Sequence, residues 1–328
     1  MKYRVLGRTG VRVSEIGVGA WALGGGWGAQ SEADSLAALH GAIDRGVNLI
    51  DTAAGYGNGR SEQIIGEVLK QRPERIFVAT KTPPAAGPWP PSPYCRMEDR
   101  YPESHLRANV DQRRKLLGVD CLDLLQLHTW TRAWNANPRP LDTLKRLQAE
   151  GKVRFIGMST PEQDQNCVID LMRRGYLDVV QVIYNIFEQE PAAELLPVAR
   201  ECNVGVIVRV AFDEGALTGK YRRGQQFAPD DFRSKYFEGD RMDRVVARVE
   251  RIEAAMADLL PAGAYTLADV ALRFVLAHPA VSTVIPGMRN AAQAKANTEV
   301  SDLDPLPETV IERLHGHAWR RGVWYSGK

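Results

Sequence analysis

The sequence predicts an α/β protein of the (β/α)8 TIM barrel class: a closed ring of parallel strands, an N-terminal hairpin below it and long βα loops over its C-terminal face. Three observations carry the prediction. Eight short runs rich in Val, Ile and Leu recur along the chain, separated by helix-length amphipathic segments. Each run is apolar along most of its length instead of alternating, as expected of strands covered on both faces. Polar side chains appear just where the runs stop, and in a closed barrel those ends converge on one mouth. An open doubly wound sheet normally has fewer such strands. The eight units are read as one domain spanning 1–328.

In chain order, residues 3–16 (YRVLGRTGVRVSEI) read as a hairpin turning at Gly7 to Gly10 and plugging the N-terminal mouth. The strand runs follow as SEIGVGA, VNLID, RIFVATK, LDLLQLH, KVRFIGMS, LDVVQVIYN, VGVIVRV and VSTVIP. Between the first two, SEADSLAALHGAIDRG opens on Ser with early acids and closes on Gly, as a capped helix does. GRSEQIIGEVLKQRP, NPRPLDTLKRLQAEG, PEQDQNCVIDLMRRG, EPAAELLPVARECN and TLADVALRFVLAHP also place apolar residues at helical spacing. Two connections are long: the Pro-rich 82–101, and 211–264 with a helix around DRVVARVERIEAAMADLL. In a barrel both lie over the catalytic face.

Composition excludes several classes. Hydrophobic residues are 44% and charged residues 25% of the 328, ordinary for a globular chain. A net charge of +2, from 42 basic and 40 acidic side chains, gives no reason to expect a nucleic-acid or membrane-surface partner. Cys95, Cys121, Cys167 and Cys202 form no C-x-x-C pair, so neither zinc nor a disulfide framework is indicated. The opening MKYRVLGRTG lacks the apolar core of a signal peptide and no run approaches membrane-spanning length, so a soluble cytoplasmic protein is expected.

Asp51, Tyr56, Lys81 and His128 stand at or just beyond the ends of three strand runs. Singly each has a plainer reading: a turn carboxylate, a packing tyrosine, a solvated lysine, a core histidine. Together they suit proton transfer. A phenol is a poor acid near neutral pH, and a neighbouring ammonium is expected to lower its pKa and stabilise the phenolate left after donation. A carboxylate beyond the ammonium keeps the lysine charged and aimed, while His128 holds a carbonyl oxygen beside the phenol. No metal is called for.

Over essentially its whole length the chain resembles the aldo-keto reductase family. The resemblance is carried by NLIDTAAGYGNGRSEQIIG with Asp51 and Tyr56, Lys81 in VATKT, His128 in DLLQLH, KVRFIGMS with Ser159, QVIYN with Gln181, EGALTGKY, and VIPGMRNAAQAKAN. It implies a nicotinamide cofactor, NADP(H), extended across the C-terminal face, and reduction of an aldehyde, ketone or sugar carbonyl with Tyr56 as proton donor. It further implies that Ser159 and Gln181 bind the carboxamide, that Arg209 lies against the nicotinamide, and that Phe212, Gly215, Leu217 and Lys220 belong to a loop over the pyrophosphate. Gly287, Arg289, Gln293 and Asn297 match positions around the adenosine half. Arg289, near the start of the last helix, is also a physically sensible partner for a 2′-phosphate, which favours NADPH over NADH.

Three positions depart from the family pattern. Thr160 stands where many members have Asn, Arg209 where many have a stacking aromatic, and Ala296 where an acid often meets the adenine. The Arg209 charge is expected to disfavour the oxidised cofactor. Trp21, Trp27, Trp89, Trp130 and Trp134 lie on loops of the catalytic face, with Trp21, Trp27 and Trp130 as expected substrate contacts. Two competing patterns are weak. Gly24, Gly26 and Ala29 satisfy G-x-G-x-x-A with Asp51 downstream, but WAL separates them from the strand. GALTGK is one residue too short for a P-loop. A different class of function on the same fold is a non-catalytic NADPH-binding sensor subunit, which need not retain Tyr56 with Lys81.

Overall fold

The computed structural model describes residues 1–261 and 263–319. The boundary expected at residue 328 lies outside the described residues. An antiparallel hairpin comes first, β1 (Tyr3–Val5) with β2 (Arg12–Ser14). Eight parallel strands follow: β3 (Val18–Gly19), β4 (Leu49–Asp51), β5 (Phe77–Thr82), β6 (Leu122–His128), β7 (Val153–Ser159), β8 (Val179–Ile183), β9 (Gly205–Arg209) and β10 (Thr283–Val284). Each pairs with its neighbours in sequence order. Seven fall within the expected runs, and β5 runs one residue past its own, to Thr82. Parallel bridges Ile16↔Val284 and Gly19↔Gly287 join the first strand region to the last and close the barrel. Closure needs glycine at position 19, because a Cβ there would stand 2.6 Å from Ile285 O.

Helices cover the outside: α1 (Glu32–Asp44), α2 (Arg60–Gln71), α3 (Met97–Arg100), α4 (Glu103–Leu117), α5 (Arg139–Ala149), α6 (Ile169–Arg173), α7 (Leu195–Glu201), α8 (Phe232–Tyr236), α9 (Arg241–Ala257), α10 (Leu267–Ala277), α11 (Ala291–Glu299) and α12 (Glu308–His315). Caps follow the expected chemistry: Ser31 Oγ accepts from Asp34 N, and Thr266 with Asp269 forms a capping box. The helices after β7 and β8 are shorter than their sequence spacing suggests. Pro197 sits in the first turn of α7, where no intrahelical N–H is needed, so the helix cannot reach back over its predecessors. Four helices escape the sequence reading: the short α3 and α8 inside the two long connections, α4 and α12. The polar α4 buries only Leu106, Val110, Arg113 and Leu117, and α12 follows α11, so α11 is not the last helix.

The hairpin plugs the N-terminal mouth. Leu6 and Val13 join Leu49, Phe77, Ala79, Leu124, Val179, Ile207 and Ile285 in one buried cluster inside the ring. Gly7, at φ +50°, lies so close to β9 that a Cβ would meet Gly205 N at 2.2 Å. Above this cluster the inward-facing residues turn polar, two positions further along each strand: Leu49 gives way to Asp51, Ala79 to Lys81, Leu124 to Gln126 and His128, Val179 to Gln181, and Ile207 to Arg209. The plug thus seals an apolar floor beneath a polar mouth. Leu6→Ala is expected to cost about 2–5 kcal/mol by leaving a cavity under that floor, read as a lower urea midpoint; an unchanged midpoint would mean that the hairpin is not part of the barrel core.

Candidate active site

The three donors of a lysine ammonium are all placed at the barrel mouth. Lys81 Nζ donates to Asp51 Oδ2 at 2.5 Å, to Thr52 O at 3.0 Å and to Tyr56 Oη at 3.3 Å. Its side chain has no exposed surface. The other oxygen of Asp51 accepts from Gln181 Nε2 at 2.6 Å and Gln126 Nε2 at 3.4 Å. Tyr56 is half-buried on the loop after β4, and the His128 ring meets it edge-on, with centroids 6.3 Å apart. The strand ends therefore bring Asp51, Tyr56, Lys81 and His128 together. Gln126 belongs to the same network; the period-two alternation of LDLLQLH marks it as inward-facing, two residues before His128.

Electrostatics correct one expectation. Burial raises the Tyr56 pKa above its ordinary value, and the opposing pull of the Lys81 ammonium does not overcome it. The phenol stays protonated through neutral pH, a competent donor, and the ammonium acts by lessening the cost of the phenolate. Burial pulls the Lys81 pKa down, but the Asp51 carboxylate and Tyr56 outweigh it and leave the lysine more firmly charged than usual. His128 is held well below the ordinary imidazole range by burial and by the positive charges of Lys81 and Arg209. It is neutral near pH 7, with one ring N–H to donate.

A cleft of about 1010 Å³ opens above these residues and runs from Trp21 and Trp89 past Gln181 to Asn297 and Leu303. Drug-sized ligands occupy roughly 300–1,000 Å³, so there is room for an extended dinucleotide. Ser159 and Gln181 line it, and Gln181 Oε1 is buried with no hydrogen-bond partner. Phe212, Gly215 and Lys220 line it further along. Leu217 is fully buried beneath the wall, where its N–H donates to Phe212 O. Gly287, Arg289, Gln293 and Asn297 line the far end. There Asn297 Nδ2 donates to Gly287 O, and Gln293 Oε1 accepts from Arg289 N. The Arg289 guanidinium donates to Gln30 Oε1 at 3.0 Å and Ala29 O at 2.6 Å, so it ties the 21–30 loop to the α11 end.

Aromatic side chains wall the catalytic end. Trp21 stacks near Tyr56 and meets Trp27 and Phe232, while Trp89 meets His128 edge-on at 5.0 Å. Of the expected substrate contacts, Trp21 and Trp27 line the cleft. Trp130 does not: it is buried behind the wall, packed on Tyr101 and Trp134, with its Nε1 donating to Asn135 Oδ1. The reason is local. Thr129 takes φ +98°, which turns the chain sharply after His128. Sequence reasoning missed Thr129, Glu162, Phe232 and Arg233 as lining residues. Phe232 and Arg233 lie in the long 211–264 connection, whose position over the face was expected but whose path was not. The G-x-G-x-x-A pattern has no dinucleotide-binding geometry, since Gly24 ends a short 3-10 turn packed against the Tyr56–Gly57 backbone. Among the described residues no helix is long and apolar enough to cross a membrane.

Comparison with known proteins finds relatives over nearly the whole chain. The sequence profile described as the Aldo/keto reductase family matches residues 15–318. The aldo-keto reductase YhdN of Bacillus subtilis (strain 168) is 30% identical over 309 residues, covering 92% of this chain and 89% of that protein. The NADH-specific methylglyoxal reductase of Escherichia coli (strain K12) is 28% identical, covering 93% and 94%. Among solved structures, the glycerol dehydrogenase AKR11B4 of Gluconobacter oxydans superposes with a TM-score of 0.75 at 28% identity, over 94% of this chain and 92% of that one. The electrostatics of the mouth can be checked directly: the His128 ring is expected to stay neutral when an NMR titration is taken from pH 8 down to 6, and a midpoint near 6.5 would contradict its burial against two cations.

Proposed function

The chain belongs to the aldo/keto reductase family, and on that premise we propose that it is an NADPH-dependent oxidoreductase that reduces a small aldehyde, ketone or sugar carbonyl to the alcohol. The observation that carries the reading is the ammonium of Lys81 held between Asp51 and Tyr56 Oη, under a dinucleotide-sized cleft and beside a neutral histidine. A reduced nicotinamide bound in the cleft supplies hydride to the carbonyl carbon. The other steps fall to the chain's own residues. Tyr56 Oη gives its proton to the carbonyl oxygen, and Lys81 stabilises the resulting phenolate by charge and hydrogen bond. His128 donates its ring N–H to the same oxygen and fixes its direction. Being neutral, it orients the substrate without competing as an acid.

The chain fits the cofactor at several points. Ser159 and the unpaired Oε1 of Gln181 suit a carboxamide, which offers both a carbonyl and an NH2 group. The 212–220 loop, with Lys220 exposed at its end, suits a pyrophosphate. Arg289, half-buried at the start of α11, suits a 2′-phosphate. Preference for NADPH rests on this arginine, and the NADH-specific relative makes its test informative. The aromatic walls exclude water and suit a compact substrate with an apolar face or a sugar ring that can stack.

Tyr56→Phe is expected to lower turnover of a carbonyl panel by about 10²–10⁴-fold while leaving NADPH affinity within about twofold, since it deletes one proton donor and little volume. Unaltered turnover would sink the mechanism, and NADPH binding by the wild type without turnover of any aldehyde, ketone or sugar would favour the sensor reading. Separately, Arg289→Ala is expected to weaken NADPH by about tenfold or more and NADH little, measured by fluorescence titration. Equal weakening of both would remove Arg289 from 2′-phosphate recognition.

A further inference from the structure

Glu162 lies outside the proton relay, yet it lines the same cleft. Its carboxylate accepts from Arg209 Nη2 at 3.1 Å, and the two side chains are only 19% and 18% exposed. The same nitrogen donates to Thr160 O at 3.0 Å, while Arg209 Nε is buried with no partner. Register places the pair. Ser159 pairs with Gln181 and Gln181 with Ile207, and Arg209 is the next inward position after Ile207 on β9. The guanidinium therefore lies across the Ser159–Thr160 strand end, in the same cleft as Gln181. Its charge reaches the chemistry: it adds to burial and Lys81 in holding the His128 pKa down, and on Tyr56 it pulls weakly against the larger upward effect of burial.

We propose that Glu162 is a charge-balancing positioning residue: paired with Arg209 it forms a net-neutral platform against the nicotinamide ring and sets how the site divides its affinity between oxidised and reduced cofactor. The inference rests on the reading that the cleft binds a nicotinamide dinucleotide. The oxidised ring carries a positive charge and the reduced ring none, so an unopposed guanidinium penalises only the oxidised form. The carboxylate cancels that penalty. It also anchors the guanidinium plane through a second strand end, since Arg209 bridges Glu162 and Thr160 O. The chain thus tolerates a cation where an aromatic ring would stack, without biasing the site toward reduced cofactor.

The test is the ratio of the dissociation constants for NADP+ and NADPH, from equilibrium titration of wild type, Glu162→Gln, Arg209→Gln and the double variant. A unit charge about 6 Å away at an effective dielectric near 20 shifts such a ratio by about a hundredfold before screening; partial exposure should reduce this to about tenfold. Glu162→Gln is expected to raise the ratio by that factor, Arg209→Gln to lower it, and the double variant to return it near the wild-type value. Glu162→Asp, which keeps the charge, should stay within about twofold. A ratio unmoved in Glu162→Gln, or two affinities that change together, overturns the proposal, because a purely structural residue moves both forms alike. Failure of the wild type to bind either dinucleotide overturns the cofactor reading itself, and the proposal with it.

Discussion

A lysine ammonium with no exposed surface stands at the centre of the barrel mouth, and the need to keep it charged there organises what surrounds it. Taking an ammonium out of water costs several kcal/mol after relaxation, a cost recovered only when the geometry of its partners is good. Lys81 meets that condition with one carboxylate, one backbone carbonyl and one phenol, which exhausts its three donors. Asp51 is held in turn by two amide side chains, Gln181 and Gln126. The carboxylate cannot swing away without stranding both the ammonium and the two amides. Rigidity of the relay is therefore a consequence of charge burial, and Tyr56, on a glycine-rich loop, is fixed mainly by the group it serves.

Barrel closure makes this network possible. Asp51, Lys81, Gln126, His128, Gln181 and Arg209 come from five different strands, and each occupies an inward position one or two pleats above the apolar floor. Parallel pairing in sequence order keeps those positions level around the ring. A one-residue slip in any strand would turn its polar end outward among the helices and bring an apolar residue inward. The floor formed by Leu6, Phe77, Leu124 and their neighbours does more than stabilise the fold, since it keeps water from reaching the relay from below.

Much of this was legible in the sequence because it depends on short-range pattern. Eight apolar runs, a turn of glycines at the hairpin and polar residues at strand ends are local signals, and the strands formed where those signals lay. The relay followed because topology alone brings strand ends together. What was not legible depends on packing or on the path of a loop. Trp130 adjoins a catalytic strand end as Trp21 does, yet the positive φ of Thr129 sends it into the core, and a Thr at such an angle is not expected from residue type. The direction of the Tyr56 shift depends on how deeply the loop buries the phenol against how closely the ammonium approaches, a balance of two opposed terms. Glu162 could not be assigned because the segment PEQDQN was read as the start of a helix. The chain instead turns at Glu162–Gln163, which leaves the Glu162 carboxylate on Arg209, before a short 3-10 turn at Gln165–Val168.

The charges nearest the relay are paired: Asp51 against Lys81, Glu162 against Arg209, beside a neutral His128. A buried site that carried net charge would favour one side of a reaction that creates or removes charge. The proposed hydride transfer with protonation does both, since the ring would gain positive charge while the phenol becomes a phenolate. With its fixed charges paired, the mouth would leave Lys81 to stabilise the phenolate locally and the Arg209–Glu162 pair to set no net field against the ring. On that reading Arg209 is compatible with catalysis because its counter-charge comes from the loop after β7, two strands away in the ring. The segment that follows it is held just as firmly. Val210, Asp213 and Glu214 all take positive φ, and Asn185 Nδ2 donates to Val210 O while Tyr221 Oη donates to Glu214 O. Strained backbone at three non-glycine residues persists only where its surroundings over-determine it. Here that constraint holds the start of the 212–220 loop in one path along the cleft.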